Sequence, residues 1–155
     1  MSAPATLRRF GSIEVHPAAD LFPEMDEADL DLLADDIKAN GVHNPLWFFQ
    51  GKLIDGRNRI RAALMAGLDP ERLPRRNLAD DEDPYGWAWS QNCARLDYTP
   101  AQKAAIRAKV EEEQGKLAEA RLVAFRAANE ARAKAAEQQI HAQDRDAAGR
   151  VKPGR

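Results

Sequence analysis

Leu53-Ile54-Asp55-Gly56-Arg57-Asn58-Arg59-Ile60-Arg61-Ala62-Ala63 decides how this chain is read. Leu53-Ile54 ends a β-prone run, and Asp55-Gly56 stops it. From Arg57 the pattern turns helical, with Ile60, Ala63 and Leu64 on one side and Arg57 and Arg61 on another. A glycine turn between a strand and a helix lets backbone N–H groups approach an anion closely. Arginine is the side chain suited to bidentate phosphate contact. The stretch therefore reads as a phosphate-binding corner. The same three arginines equally suit a solvated face, or partners for nearby acids, and residue types and spacing leave both readings open.

The corner lies in a mixed α and β context. Ile13-Glu14-Val15 alternates as a short strand and stops at His16-Pro17. Asp26 is placed to cap a helix through Lys38, with Leu30, Leu33, Ala34 and Ile37 on one face and Asn40-Gly41 as its stop. Leu46-Trp47-Phe48-Phe49 and Lys52-Leu53-Ile54 flank Gln50-Gly51 as a hairpin. Gly67 closes the helix after the corner, Pro70 prevents its extension, and Arg75-Arg76-Asn77-Leu78 reads as a last short strand. Asp83-Pro84 starts a helix through about Ala94. Thr99-Pro100-Ala101-Gln102 is a capping box with proline at the first helical position. No proline interrupts the chain from there to about Ala148.

Composition divides the 155 residues near position 100. The first hundred carry 11 Lys and Arg against 17 Asp and Glu; the remainder carry 12 against 8. That remainder holds 16 alanines and no Trp or Tyr, so core-building capacity lies in the first hundred residues. The fold class expected is α+β, a small mixed sheet with packed helices followed by a long C-terminal α-helical extension. The organisation expected is a flexible leader over 1–11, a nucleotide-binding domain over 12–98, a helical extension over 99–148 and a disordered tail over 149–155.

Several chemistries are excluded or disfavoured. One cysteine, Cys93, allows no intrachain disulfide and no Cys-rich zinc site. His16, His43 and His141 form no H-x-x-x-H or H-x-H pair, which counts against a zinc hydrolase. No apolar run approaches the roughly 20 residues of a membrane span, and no secretory signal is visible. A cytoplasmic protein without membrane contact is expected. Trp47, Phe48 and Phe49 could stack on a nucleobase, but burial in a small sheet is the simpler reading. One of Trp87 and Trp89 is expected in the core, since residues two apart on a helix do not share a face.

Three blocks, in order, resemble ParB-type partition proteins of the ParB/sulfiredoxin superfamily, over about residues 12–110. Ala39-Asn40-Gly41-Val42-His43-Asn44-Pro45 resembles the family's G-x-x-Q-P block. Asp55-Gly56-Arg57-Asn58-Arg59-Ile60-Arg61-Ala62-Ala63 resembles its G-E-R-R-x-R-A-A block. Gln91-Asn92-Cys93-Ala94-Arg95, followed by Thr99-Pro100, resembles its E-N-x-x-R block and the segment after it. The resemblance implies a bound nucleotide triphosphate, CTP in the family, with Gly56, Asn58, Arg59 and Arg61 on its phosphates. Arg57 joins them as the third guanidinium of the corner. Asn92 and Arg95 would form the opposite wall, and Gly41 and Asn44 the loop beside the nucleotide.

Departures from the family pattern redirect the chemistry. Arg57 stands where the block carries an acid, which counts against the family's serine-kinase activity. No cysteine lies in that block, which counts against sulfiredoxin chemistry. Gln91 replaces the glutamate that helps hold Mg2+, and an amide is a poorer ligand than a carboxylate for a hard cation. Gln91 and Asn92 remain the metal candidates, and metal-assisted hydrolysis is disfavoured. No helix-turn-helix signal follows Thr99. The functions expected are a CTP-type nucleotide-binding module in a partition or DNA-associated role, a weak nucleotidase, nuclease or kinase, or a non-catalytic interaction protein. The extension carries Arg121, Arg126, Arg132, Lys134, Arg145 and Arg150, which suit non-specific DNA phosphates or a solvated face. Its apolar stripe through Val110, Leu117, Ala124 and Ala131 suits a homodimer.

Overall fold

Gln50 and Gly51 both take positive φ, 48° and 79°, and so fold the chain back in a two-residue hairpin turn. The computed structural model describes residues 8–93 and 98–149, with backbone alone over 143–148. The hairpin joins β3 (Leu46–Phe49) to β4 (Lys52–Asp55). Ahead of it, β1 (Arg9–Phe10) and β2 (Ile13–Glu14) form a small antiparallel pair. Residues 9 and 10, within the stretch expected as a flexible leader, are therefore paired backbone. Val15 continues β2 into a parallel bridge with Leu53, and His16 N–H donates to the Leu53 carbonyl at 2.8 Å.

Helices α1 (Pro17–Asp20) and α2 (Glu27–Asn40) follow. Asp26 caps α2 by accepting the Asp29 N–H at 2.8 Å. After the hairpin, α3 (Arg57–Met65) leads through a single 3₁₀ turn at Pro70–Arg72 into β5 (Arg75–Asn77). Strand β5 pairs in parallel with β3, giving the order β4-β3-β5. Helix α4 (Pro84–Cys93) starts at Asp83, whose carboxylate accepts the Tyr85 and Gly86 N–H groups. Helix α5 spans Pro100–Gly149. This is the α+β class, with a mixed sheet and a long last helix.

The hairpin's alternation divides the core between two faces of the sheet. Leu46, Phe48 and Leu53 join Ile13, Val15, Leu30, Ile37 and Ile60 in the larger cluster. Phe49 and Ile54 join Leu78 on the opposite face, with Trp47 and Trp87 packed against them. A register shift between Trp47 and Phe48 lets Asp55 sit opposite Trp47 while Phe48 keeps Leu53. On α3 the buried apolar residues are Ile60, Ala62 and Ala63, and Leu64, expected inside, is 49% exposed. On α4 the buried residues are Pro84, Tyr85 and Ala88. Trp87 and Trp89 are both only half-buried, so neither fills the core position expected for one of them. Trp87 instead packs against Trp47, at 4.9 Å between ring centroids and 46° between ring planes. Trp89 lies under the Arg107 guanidinium, 5.6 Å away.

The chain divides into two compact units, 1–114 and 115–155. The first takes in the opening turns of α5, where Ile106 and Val110 are buried. It also contains a hydrogen bond from the Gln114 amide to the Asp83 carboxylate. In the second unit Leu122, Val123, Phe125 and Ile140 are exposed side chains of a helix. No helix among the described residues is long and apolar enough to cross a membrane.

Candidate functional site

Gly56 is the N-cap of α3 with φ 116° and ψ 15°, and no side chain caps the helix. The first intrahelical bond runs from Ile60 N–H to the Gly56 carbonyl at 2.9 Å. The earlier amides of the helix consequently lack a helical acceptor and carry the positive end of the peptide dipoles. A Cβ at position 56 would lie 2.5 Å from Leu46 Cδ2, and 3.2 and 3.3 Å from Arg59 Nη2 and Nε. Glycine is thus required twice, by its φ and by the close approach of two neighbouring side chains.

A cleft of about 250 Å³ opens at this corner. Asn44, Asp55, Gly56, Asn58, Arg59 and Asn92 supply its polar lining, along with Arg57. Phe22, Pro23, Met25, Leu33 and Ile54 supply much of its apolar wall. Segments distant in sequence converge here: the α1–α2 connection, the loop before β3, the start of α3 and the end of α4. A mostly apolar pocket with a few convergent polar groups is the usual form of a small-molecule site.

The three arginines of the corner differ in their partners. Arg57, 9% exposed, donates from Nη1 to Asp20 Oδ1 at 2.9 Å and from Nη2 to the Phe22 carbonyl at 2.6 Å. Burial pulls its pKa down, and Asp20 opposes that pull. Its guanidinium is committed to fastening α1 and the following loop, which alters the phosphate role expected for it. Arg61 donates to Glu24 Oε2 at 3.2 Å and does not line the cleft. Arg59 donates from Nη2 to Asp55 Oδ2 at 2.5 Å, and its Nε is buried without a hydrogen-bond partner. An unpaired buried donor is costly, and an anionic ligand at the helix start would relieve it.

The remaining expected site residues divide similarly. Asn58 Oδ1 accepts the Met25 N–H at 3.4 Å, tying α3 to the opposite wall. Asn92 lines the cleft and donates its side-chain amide to the Ala88 carbonyl at 2.8 Å. Asn44 lines the cleft from the loop before β3. Gly41 stands apart from that lining: it ends α2 with φ 76°, its N–H bonded to the Ile37 carbonyl at 2.8 Å. Gln91 also stands outside the lining, and His43 is exposed and outside it. Arg95 lies outside the described residues. Among the described residues, no three acid, histidine or cysteine side chains gather to hold a metal.

Sequence reasoning did not find Phe22, Pro23 and Met25, which form the wall facing the corner. They lie more than thirty residues upstream in a connection without a motif. Asp55, expected as a strand stop, lies four residues before Arg59, the spacing of a helix-type ion pair. Trp47 is unavailable for base stacking, being packed on Trp87 with Arg76 5.9 Å from its ring.

No family model matches the chain, and no curated protein matches it. Among solved structures, the chain is similar to the C-terminally truncated chromosome-partitioning protein ParB from Caulobacter crescentus complexed with CTP-γ-S. The identity is 25% and the TM-score 0.41, with 61% of this chain and 56% of that one covered. The chain thus spans little more than half the length of that structure.

Proposed function

We propose that this protein is a ParB-like nucleotide-binding module that holds a nucleoside triphosphate, CTP in the first instance, at the Gly56 corner. One observation carries the reading: an uncapped helix start, a glycine at positive φ under close neighbouring side chains, and a buried arginine donor without a partner meet in one cleft. Free backbone amides and an unpaired guanidinium N–H at a helix N-terminus are what a phosphate chain requires. The three sequence blocks, in order, support the nucleotide over a simple anion. Arg59, Asn58 and Gly56 would hold the phosphates, with Asn44 and Asn92 on the flanking walls. Arg57 would hold the wall itself.

The role we propose is binding and regulation in a DNA-partition or other DNA-associated system. The basic residues of the last helix, or a partner protein, would supply contact with DNA phosphates. The arginine at position 57 and the amide at position 91 argue for a binding module over a kinase or a metal-assisted hydrolase. Titration calorimetry of the whole protein with CTP, ATP and GTP, with and without Mg2+, tests the reading. Saturable binding that Arg59→Ala weakens supports it; no heat with any of the three overturns it.

A further inference from the structure

Every residue of α5 from Ala118 to Ala142 is exposed. Three of the large apolar ones share one side of the helix: Leu122, Phe125 and Ile140, which are 47%, 63% and 58% exposed. Ala118, Asn129, Ala133 and Ala136 complete that side. At about 100° per residue, these positions fall within an arc of about 80°. Val123, 60% exposed, lies outside it, about 120° around the helix from its centre. The pattern repeats at eleven residues, with Ala118, Asn129 and Ile140 one period apart. An eleven-residue period nearly matches the turn of a straight helix, so the stripe holds its side. The stripe expected through Val110 is a different one, and Val110 itself is buried in the first unit.

The stripe is built to meet a reversed copy of itself. Its successive spacings are 4, 3, 4, 4, 3 and 4, the same from either end, with Asn129 at the centre. Laid against a second copy running the other way, Leu122 meets Ala136, Phe125 meets Ala133 and Ile140 meets Ala118. Each large side chain thus faces an alanine, the alternation that lets layers interdigitate at one helix separation. A parallel copy would set Phe125 on Phe125 and Ala133 on Ala133, and no single separation suits both. Asn129 meets its own counterpart on the twofold axis, where each amide can donate to the other and accept from it. A polar residue inside an apolar seam fixes the register. Beside the seam, Arg126 faces Glu130 of the second copy on both sides of the axis. Glu119 faces Glu137 at both ends, a like-charge contact that keeps the pairing weak.

We propose that this side of α5 is an interaction surface for a second copy of the same helix, paired antiparallel about Asn129. The partner is chosen by the order of large and small residues along the stripe, independently of any ligand in the cleft.

The test is sedimentation equilibrium of the whole protein over about 1–500 μM, a range suited to so narrow a contact. A monomer–dimer equilibrium is expected. Phe125→Glu, which puts an unpaired charge in the seam, should weaken it at least about 100-fold. Val123→Glu, outside the seam, should leave it unchanged, and circular dichroism checks that both variants keep their helix. Ala133→Leu reads the direction and serves if Phe125→Glu loses helix. It crowds Phe125 of the second copy and should weaken the dimer about 10-fold, whereas in a parallel pair the new side chain would meet its twin and tighten it. Glu119→Lys, facing Glu137, should tighten the dimer a few-fold. A strict monomer at the top of the range overturns the proposal. So does a dimer that survives Phe125→Glu, one that Val123→Glu abolishes, or one that Ala133→Leu tightens.

Discussion

Arg59 folds back across the start of its own helix to meet Asp55, Nη2 to Oδ2 at 2.5 Å, with both side chains largely buried. In doing so it lies over Gly56, where the helix amides are free. The carboxylate thus holds the guanidinium in the space an incoming phosphate would use, and competes with that phosphate for it. Asp55→Asn should therefore tighten CTP binding several-fold while lowering the melting temperature of the free protein. Arg59→Ala should weaken binding by roughly 10- to 100-fold, the range for hydrogen bonds to charged groups. Calorimetry with both variants separates competition from orientation: weaker binding by Asp55→Asn would mean the carboxylate orients Arg59.

Gly56→Ala introduces a Cβ 2.5 Å from Leu46 Cδ2 at a backbone φ of 116°. Leu46 is fully buried and has little room to yield. Conformational strain and overpacking together should cost about 2–4 kcal/mol. Gly51→Ala is the comparison, since Gly51 has φ 79° and nothing within 4 Å of its Cβ position. It should cost about 1 kcal/mol, from backbone strain alone. Urea denaturation of the two variants measures the difference, and equal losses would remove the steric part of the explanation.

Arg57→Glu puts an acid at position 57 beside Asp20 and Glu24, the latter 3.9 Å from the present guanidinium. A buried carboxylate facing two others, with the Phe22 carbonyl left unpaired, should cost at least about 3 kcal/mol. We expect a sharply lowered melting temperature by circular dichroism, with no gain of kinase activity. Arg57→Met, which keeps the packing without the charge, should destabilise less.

His16 sets a pH dependence. Its Nδ1 accepts the Ala18 N–H at 3.1 Å, and its ring packs edge-on against Phe49 and Tyr85. Burial, aided by Lys52, lowers its pKa from 6.5 to about 4. The unfolded chain therefore takes up a proton near pH 6.5 while the folded chain resists until about pH 4. Above pH 6.5 the residue contributes no pH dependence; stability should decline as pH falls from 6.5 toward 4. His16→Asn keeps a capping acceptor and should flatten that part of the melting-temperature profile. A parent profile already flat between pH 6.5 and 4 would contradict the assignment.

Local chemistry made much of this architecture readable in advance. Positive-φ residues at Gln50-Gly51 gave the hairpin, Asp26 and Asp83 gave two helix starts, and Gly56 marked the corner between strand and helix. Each signal involves residues within a few positions of one another. What was hidden depends on distance along the chain. Arg57 pairs with Asp20 across 37 residues, and Met25 meets Asn58 across 33. No periodicity records such contacts, so Arg57 read as a ligand group and the wall at Phe22 and Met25 went unseen. The tryptophans of α4 misled for a similar reason: the buried positions went to Tyr85 and Ala88, and Trp87 found its partner on β3.

The parallel pairing of β5 with β3 sets an order of assembly. A β-hairpin closes in roughly 1–10 μs, so β3, β4 and the Gly56 exit can form while the rest of the chain is still searching. The β5 pairing must wait for α3 and the 3₁₀ turn to traverse the sheet, and the Arg57–Asp20 clasp must close a still longer loop. The Gly56 corner is therefore an early structure and its opposing wall a late one. An anion able to bind free helix amides would meet its site half-built, and could speed folding by drawing the later wall onto it.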